Sequence, residues 1–123
     1  MDRARVMEWV GGYERAWRDG DVGAVERLFT EEARYRRSPY EKSEVGHEAI
    51  RAFWREDQGQ SFTVTAEPVA VEGRDAVVRL EVHYGAPDHH EYRDLWVLRF
   101  AEDGRVEDFE EWAYWPGRSY TAS

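Results

Sequence analysis

Several residue types are absent or scarce in this chain. It has no cysteine and no asparagine, and Lys42 is the single lysine among 17 basic residues. Without cysteine, a disulfide, a thiolate metal site and a cysteine nucleophile are all excluded. No apolar run approaches the roughly 20 residues that span a membrane, and the first ten residues lack the apolar core of a secretory signal. We therefore expect a soluble, cytoplasmic protein.

The charge and length of the chain limit its partners and its size class. The formal net charge is −9, and the arginines are scattered among acidic residues without forming a basic stripe. Such a surface repels phosphate backbones and anionic lipid head groups, so we expect neither nucleic acid nor a membrane as a partner. With 123 residues, the chain is long enough for one hydrophobic core and too short for two, which predicts a single domain over 1–123.

Hydrophobic periodicity divides the chain into an early helical part and a late strand part. Apolar residues recur at helical spacing over 3–19, in a short segment after Asp21 that includes Phe29, and over 47–56. Residues 38–46, around Ser38 and Pro39, are predicted to form a loop. Alternation with a period of two predicts strands at 33–37, 62–72, 76–84, 91–100 and 105–115. Pro68 interrupts its strand, which predicts a bulge, and Gly73 predicts the next turn. Helices followed by strands predict an α+β fold, with the helices on one face of a bent antiparallel sheet.

Three segments of the sequence carry a resemblance to a known family. They are YERAWRDGDVGAVERLFTEEARY, GHEAIRAFW and LRFAEDGRVEDFEEW, and in this order they resemble the nuclear transport factor 2-like superfamily, in particular its SnoaL-like branch. The resemblance implies three N-terminal helices packed in the concave face of a bent antiparallel or mixed sheet, a cone-shaped α+β barrel. It also implies a pocket for a small molecule and a homodimer. It fixes no activity, because the superfamily includes isomerases, dehydratases, epoxide hydrolases, polyketide cyclases and plain binding domains.

The steroid Δ-isomerases of this fold allow a comparison at individual positions. The resemblance implies that Tyr13 stands at the position of their oxygen-binding tyrosine. Arg37 stands where these enzymes have an aspartate base, and Trp96 stands where they have a second, protonated aspartate. Neither an arginine at neutral pH nor an indole can take over these roles. The resemblance therefore supports Tyr13 as a residue that polarises a substrate oxygen and does not support isomerase chemistry at the other two positions.

The last hairpin decides which side chains of the C-terminal strand face the pocket. A three-residue loop with Gly104 in the left-handed position of a bulge turn places Phe100 opposite Val106. In this register the pocket receives Glu110, Trp112 and Tyr114. A two-residue loop shifts the register by one and presents instead Phe109, Glu111, Ala113 and Trp115. Because Gly104 suits the left-handed position, we predict the first register.

The predicted register brings two carboxylates together. Asp94 and Glu110 become diagonal neighbours, roughly 7–8 Å apart at the backbone. Two carboxylates this close among tryptophans raise each other's pKa, which is the condition for a general acid or base near neutral pH. Arg37, which shares strand parity with Tyr35, is the candidate for binding negative charge on a substrate. The structural alternative is that Asp94 pairs with Arg37 or Arg99, or that this strand end is solvated.

Aromatic side chains are more numerous than a core of this size needs. Buried phenols and indoles also require polar partners, which suits them to the walls of a site for a flat ligand. We predict that the substrate contacts come from Trp17, Tyr35, Tyr40, Trp54, Tyr92, Trp96, Trp112 and Tyr114. Alternatively, Trp17 and Trp54 belong to the core and Trp115 to a dimer contact. No metal site is expected, because the adjacent histidines of 88–91 rarely converge on one ion.

Two functions are consistent with these residues. In the first, the protein is a cofactor-independent lyase, isomerase or hydrolase that uses acid–base chemistry on a ring-containing small metabolite. Asp94 with Glu110 then supplies acid and base, Tyr13 polarises an oxygen, and Arg37 stabilises negative charge. In the second, the protein is a non-catalytic dimeric ligand-binding or accessory domain of the same fold, in which these groups orient a ligand or satisfy one another.

Overall fold

The computed structural model describes residues 1–56, 61–85 and 89–117. Within these ranges the helices are α1 (Arg3–Asp19), α2 (Val25–Leu28) and α3 (His47–Glu56), with a 3-10 turn at Val22–Ala24. The strands of the same ranges are β1 (Phe29–Arg36), β2 (Glu44–Val45), β3 (Phe62–Glu72), β4 (Asp75–Tyr84), β5 (Glu91–Phe100) and β6 (Val106–Tyr114). The helical elements thus come first, and the four longest strands follow, as the periodicity predicts.

The strands of the described chain form one mixed sheet in the order β2-β1-β6-β5-β4-β3. Strands β3 to β6 make an antiparallel meander, whereas β1 pairs with β6 in parallel. The sheet is open, with β2 and β3 at its two edges. The helices pack in its concave face and share one hydrophobic core with it. The predicted α+β architecture is therefore confirmed.

Helix α1 supplies the centre of this core. Asp2 caps its N-terminus by accepting a hydrogen bond from the backbone N–H of Arg5 at 2.9 Å. Gly20 ends the helix in the left-handed conformation, with φ 64°. The buried stripe of the helix consists of Val6, Trp9, Val10, Tyr13 and Ala16. The spacing of this stripe is what points Tyr13 towards the inner face of the sheet.

The first strand starts earlier than the sequence predicts. Phe29, assigned to the second helix, has extended backbone (φ −125°, ψ 147°) and begins β1 as a fully buried residue. Through Arg34 and Tyr35, β1 pairs with β2, which lies in a segment predicted to be a loop. Both errors have one cause, since periodicity over only a few residues does not distinguish helix, strand and loop.

The β3–β4 hairpin has both predicted irregularities. Its register shifts between Pro68 and Ala70, where the proline has no N–H to give to the ladder. Gly73 occupies the turn with φ 59°, a left-handed conformation that glycine adopts without strain. The guanidinium of Arg3 donates to the carbonyl of Pro68 at 2.9 Å, so α1 is fixed to this edge strand.

The β5–β6 hairpin combines a correctly predicted turn with a wrongly predicted register. Gly104 is left-handed, with φ 90°, and Phe100 pairs with Val106 as predicted. The next pair on β6 skips Glu107 and resumes at Asp108, so Glu107 is a bulged residue. The bulge moves every later pair by one, and the predicted register is wrong from Asp108 onwards.

The bulge at Glu107 exchanges the inward and outward residues of β6 relative to the predicted register. Phe109 is fully buried, and the inner face continues through Glu111 and Ala113, which pair with inward-facing residues of β5. The physical reason is packing. Val106 and Phe109 both require burial but are three residues apart, and an alternating strand buries both only with an extra residue between them.

Candidate functional site

A small cavity lies between α1, α3 and the inner face of the sheet. We call it the inner chamber, and its volume is about 60 Å³. Six of the aromatic residues singled out from the sequence line it: Tyr13, Trp17, Tyr35, Trp54, Tyr92 and Trp96. Its wall also contains Phe53 and Glu111, together with the small residues Ala16 and Gly20. Glu111 is therefore the acidic side chain that a molecule in the chamber meets.

Glu111 is hydrogen-bonded to Asp94, which lies behind it. In the observed register Asp94 is opposite Ala113 and Trp96 is opposite Glu111, so the two carboxyl groups are diagonal neighbours on the inner face. Asp94 is only 3% exposed. The indole Nε1 of Trp96 donates to its Oδ2 at 3.1 Å. The carboxyl pair predicted from the sequence therefore exists with Glu111 in place of Glu110.

A shared proton accounts for this carboxyl pair. Asp94 Oδ1 is buried and accepts no hydrogen bond from an N–H group in the described ranges. Two carboxyl groups form a hydrogen bond only if one of them is protonated. Burial raises the pKa of Asp94 far above its ordinary value, and the hydrogen bond with Glu111 raises it further. The pair therefore retains a proton at neutral pH.

Two phenol groups form a second polar feature of the chamber. The hydroxyl oxygens of Tyr13 and Tyr35 are hydrogen-bonded at 2.6 Å. Both rings stack on Phe109, with interplanar angles of 1° and 6°. Burial is the main cause that raises the pKa of Tyr13 well above its ordinary value, and the same cause raises the pKa of Tyr92. The hydroxyl groups of Tyr13 and Tyr92 therefore stay protonated and are able to donate hydrogen bonds.

A wider cavity of about 830 Å³ adjoins the inner chamber. We call it the vestibule, and it shares Phe53, Tyr92 and Glu111 with the inner chamber. Arg37 lines the vestibule, with its guanidinium 4.2 Å from the centre of the Phe53 ring and 3.6 Å from the carboxylate of Glu41. Arg37 is thus placed at the entrance of the site.

Four residues predicted to line the pocket lie elsewhere. Glu110 is on the outer face of the sheet, where it pairs with Arg36 at 2.7 Å and accepts from the indole of Trp112 at 2.8 Å. Trp112 and Tyr114 are exposed on the same outer face, and Tyr40 is fully exposed in the loop after β1. The predicted orientation of these four side chains is wrong, because the Glu107 bulge turns three of them outwards and the loop carries the fourth into solvent.

The alternative prediction for Asp94, an ion pair with an arginine, is not what the structure shows. Arg99 pairs with Asp75 at 3.1 Å and with Glu107 at 3.4 Å, and Arg37 pairs with Glu41. The partners of Asp94 are the Trp96 indole, the carboxyl group of Glu111 and the backbone N–H of Leu95. No guanidinium is among these contacts of Asp94.

The sequence did carry a signal for the residue that was missed. Val106 and Phe109 are apolar residues at a spacing of three within a strand of alternating pattern. That spacing indicates a bulge, and a bulge there makes Glu111 an inward residue. Phe53 lies within the helical pattern predicted over 47–56, yet helical periodicity does not separate core positions from cavity walls.

The described part of the chain offers no evident metal site. Within it, no group of three or more histidine, aspartate and glutamate side chains is arranged to hold a metal ion. The carboxyl pair has two of the usual ligand groups, but a shared proton competes with a cation for them. No helix in the same ranges is long and apolar enough to cross a membrane.

Solved structures of similar fold include enzymes. An epoxide hydrolase of M. tuberculosis, described as LEH-like, aligns with a TM-score of 0.72 at 15% identity, over 91% of this chain and 84% of its own. SalBIII, described as an epoxide hydrolase/cyclase-like enzyme in pyran ring formation in polyether salinomycin, aligns at 0.70 and 20% identity, over 90% of each chain. A steroid Δ-isomerase from Pseudomonas aeruginosa aligns at 0.66 and 20% identity, over 90% of this chain and 80% of its own. At these identities the likeness concerns the fold.

Sequence comparison identifies the family. No curated protein sequence gives a significant match. The family model for the SnoaL-like domain matches residues 10–109, a range that includes Tyr13, Asp94 and the aromatic lining of the inner chamber and ends two residues before Glu111. Together with the nuclear transport factor 2-like fold, this match shows that the chain belongs to the SnoaL-like domain family.

Proposed function

We propose that the protein is a cofactor-independent acid–base enzyme, in which Glu111 transfers a proton to or from a small, ring-containing substrate. The observation that carries this proposal is the carboxyl pair, since Glu111 lines the inner chamber and is hydrogen-bonded to the buried Asp94. A carboxyl group at the wall of an aromatic cavity that shares a proton with a buried carboxyl group is suited to general acid–base catalysis.

The other polar groups have distinct roles in this proposal. Tyr13 donates a hydrogen bond to a substrate oxygen on which negative charge develops, and Tyr35 holds the Tyr13 hydroxyl at 2.6 Å. Asp94 does not touch the substrate. It is a positioning residue that holds the shared proton against Glu111. Arg37 orients the part of the substrate that remains at the entrance.

The arrangement favours an isomerase or lyase over a hydrolase. Hydrolysis by two carboxyl groups needs both groups at the reacting atoms, one as acid and one as base. Here only Glu111 lines the chamber, whereas Asp94 is buried behind it. One accessible carboxyl group is sufficient for a reaction in which a proton leaves one atom of the substrate and is returned to another.

A non-catalytic ligand-binding domain is the second candidate. Two observations favour it: the inner chamber holds only about 60 Å³, and the Tyr13 and Tyr35 hydroxyls satisfy each other. In this reading the carboxyl pair only fixes the orientation of β5 against β6. The expected homodimer and the cytoplasmic location stay predictions under either function.

Proton transfer can be measured directly. We expect the wild-type protein to accelerate deuterium incorporation into cyclohex-3-enone in D₂O, together with its conversion to the conjugated enone, followed by NMR and ultraviolet absorbance. Glu111→Gln should lower this rate by about 100-fold or more, the usual range for a lost acid–base group. Glu110→Gln is the matched control, because this neighbouring glutamate faces outwards, and it should retain the wild-type rate.

Other outcomes separate the candidate functions. Opening of cyclohexene oxide to its diol, without exchange of the enone, would replace the isomerase by a hydrolase. Calorimetric binding of cyclohex-3-enone without any acceleration over buffer would favour the binding domain. Equal rates for Glu111→Gln and Glu110→Gln would remove Glu111 from the mechanism.

A further inference from the structure

A tryptophan follows a carboxyl group by two residues on both faces of the sheet. On the inner face the indole of Trp96 donates to Asp94 Oδ2 at 3.1 Å. On the outer face the indole of Trp112 donates to Glu110 Oε2 at 2.8 Å. Residues two apart on a strand point to the same side, so each indole reaches the carboxyl group beside it. Glu110 also pairs with Arg36 at 2.7 Å and is therefore a carboxylate, whereas no guanidinium contacts Asp94 in the described part of the chain.

The indole of Trp96 distinguishes the two oxygens of Asp94. Oδ2 accepts the indole N–H, whereas Oδ1 is buried and has no hydrogen-bond donor among the described residues. In a neutral carboxyl group the carbonyl oxygen is the acceptor and the hydroxyl oxygen carries the donor. A buried oxygen that receives no hydrogen bond is unfavourable as an acceptor, but as a hydroxyl it is satisfied by donating one. The proton of a neutral Asp94 therefore belongs on Oδ1.

The acceptor for this proton is Glu111, to which Asp94 is hydrogen-bonded. The two carboxyl groups differ in their access to solvent. Asp94 is 3% exposed, while Glu111 is partly exposed and lines both the inner chamber and the vestibule. A single negative charge shared by such a pair is more favourable on the better solvated group. The pair is thus a neutral Asp94 that donates a hydrogen bond to a Glu111 carboxylate.

We infer that Trp96 is a positioning residue for the proton transfer: by holding Asp94 through Oδ2, its indole directs the Oδ1 hydroxyl at Glu111 and leaves Glu111 ionised as the base. In the first step the Glu111 carboxylate takes a proton from a substrate carbon, and the electron pair of the broken C–H bond moves to the substrate oxygen to which Tyr13 donates. In the second step Glu111 returns the proton to another carbon, and the same electron pair forms the new C–H bond. The role of Glu111 as the base rests on the proposed function, whereas the orientation of Asp94 does not.

Infrared spectroscopy locates the shared proton. Solvated carboxyl groups are ionised at pH 7, so a protonated one gives a separate C=O stretching band. We expect this band in the wild-type protein, and we expect it to shift when aspartate is labelled with carbon-13 at its side-chain carboxyl group. The corresponding label in glutamate should leave the band in place. A band that shifts with labelled glutamate, or the lack of any band, would overturn the inference.

The hydrogen bond of Trp96 is tested with an analogue of the same shape. Replacing Trp96 by 3-benzothienylalanine puts sulfur in the place of the N–H group and keeps a bicyclic ring in the core. The Asp94 band should then move to higher wavenumber, because the Oδ2 carbonyl loses its donor. The same replacement of Trp112 is the matched control and should leave the band unchanged, since Glu110 is ionised. A band that does not respond to the replacement of Trp96 would refute the positioning role.

The same analogue separates positioning from substrate binding. At position 96 it should lower kcat for the isomerisation of cyclohex-3-enone by about three- to tenfold, the range for one neutral hydrogen bond. KM should stay unchanged, because the indole acts through Asp94 and Glu111. At position 112 the analogue should change neither quantity. A changed KM with an unchanged kcat would show that Trp96 is only a wall of the chamber.

The inference and the proposed function fail separately. An aspartate band that responds to loss of the Trp96 N–H, in a protein that does not accelerate enone exchange, would support the orientation of Asp94 and refute the proposed enzyme. Enone exchange that depends on Glu111, without a response of the band, would support the enzyme and refute the role of Trp96.

Discussion

At the scale of single residues, Asp94 is the most unusual group in the described chain. An aspartate that is 3% exposed normally has an arginine or a metal ion beside it. Asp94 has instead an indole and a carboxyl group that shares its proton. The neutral form of Asp94 is favoured in this buried environment and the charged form is not. Ionisation of Asp94 therefore lowers the free energy of unfolding.

This cost predicts a pH dependence of stability. Because the pKa of Asp94 is raised in the folded protein, the folded state binds more protons than the unfolded chain once the pH exceeds the ordinary aspartate value of about 4. The free energy of unfolding should therefore fall as the pH rises from there, by up to about 1.4 kcal/mol per pH unit from this group. Asp94→Asn, neutral at every pH, should remove that slope, as measured by urea unfolding at pH 5, 6.5 and 8.

The control for this experiment is Asp75→Asn. Asp75 is exposed and pairs with Arg99, and an exposed ion pair contributes little to stability. This variant should keep the pH slope of the wild-type protein. If Asp94→Asn and the wild-type protein gave parallel curves over the whole range, Asp94 would not hold a proton in the folded state.

The placement of Asp94 was predictable from its own strand, while that of Glu111 depended on a bulge in the neighbouring strand. Strand β5 alternates without interruption, and all of Tyr92, Asp94, Trp96, Leu98 and Phe100 are buried. Parity alone therefore identifies Asp94 as inward. The neighbouring strand β6 contains a bulge that forms only if Val106 and Phe109 are both buried in the core. Their burial depends on tertiary packing, which the pattern of one strand does not contain. The prediction for Tyr40 was wrong for a different reason, because loop residues have no periodicity that indicates the orientation of their side chains.

At the scale of elements, the Glu107 bulge determines what β6 contributes. Before the bulge, the pairing of β6 with β5 is set by the turn at Gly104. After the bulge, it is set by the burial of side chains in the core. The turn fixes only the first pair of a hairpin, while burial of large side chains fixes the rest. Helix α1 is the opposite case, since one uninterrupted stripe over 17 residues sets its inward face, on which Tyr13 lies.

Alanine substitutions distinguish the two registers of β6. In the observed register Phe109 is fully buried and Trp112 is exposed on the outer face. Phe109→Ala should therefore lower the free energy of unfolding by about 3–5 kcal/mol, and Trp112→Ala by less than about 1 kcal/mol. Chemical denaturation of both variants measures the difference. The reverse order of the two effects would restore the register in which Trp112 faces the pocket.

At the scale of the whole molecule, the helices cover one face of the sheet, and no element of the described residues covers the other. Val97, Trp112 and Tyr114 are 40%, 37% and 39% exposed there, on neighbouring strands β5 and β6. The charged groups around them already pair within the chain, as in Arg36 with Glu110 and Arg93 with Glu81. The remaining apolar surface is therefore the place where we expect a second copy of the chain to pack.

The expected homodimer can be tested by mass. Multi-angle light scattering should give twice the 14.5 kDa of one chain at micromolar concentration. Val97→Arg, in the middle of the uncovered face, should reduce the mass to that of one chain, because an unpaired charge opposes burial. Tyr40→Ala, fully exposed in a loop, should leave the dimer intact. A monomeric wild-type protein would contradict the expectation.

The bulge at Glu107 has a consequence for how this strand tolerates a shift in register. If the bulge were lost while Glu107 stayed in the ladder, the inner face of β6 would exchange Phe109 and Ala113 for Asp108 and Trp112, residues of quite different size and polarity. The acid at the chamber would scarcely change, because positions 110 and 111 are both glutamate. Because both positions are glutamate, a one-residue shift in register would still place an acidic side chain at the chamber. The packing of the neighbouring bulky residues is what opposes the shift. Selection for packing is thus sufficient to preserve the site.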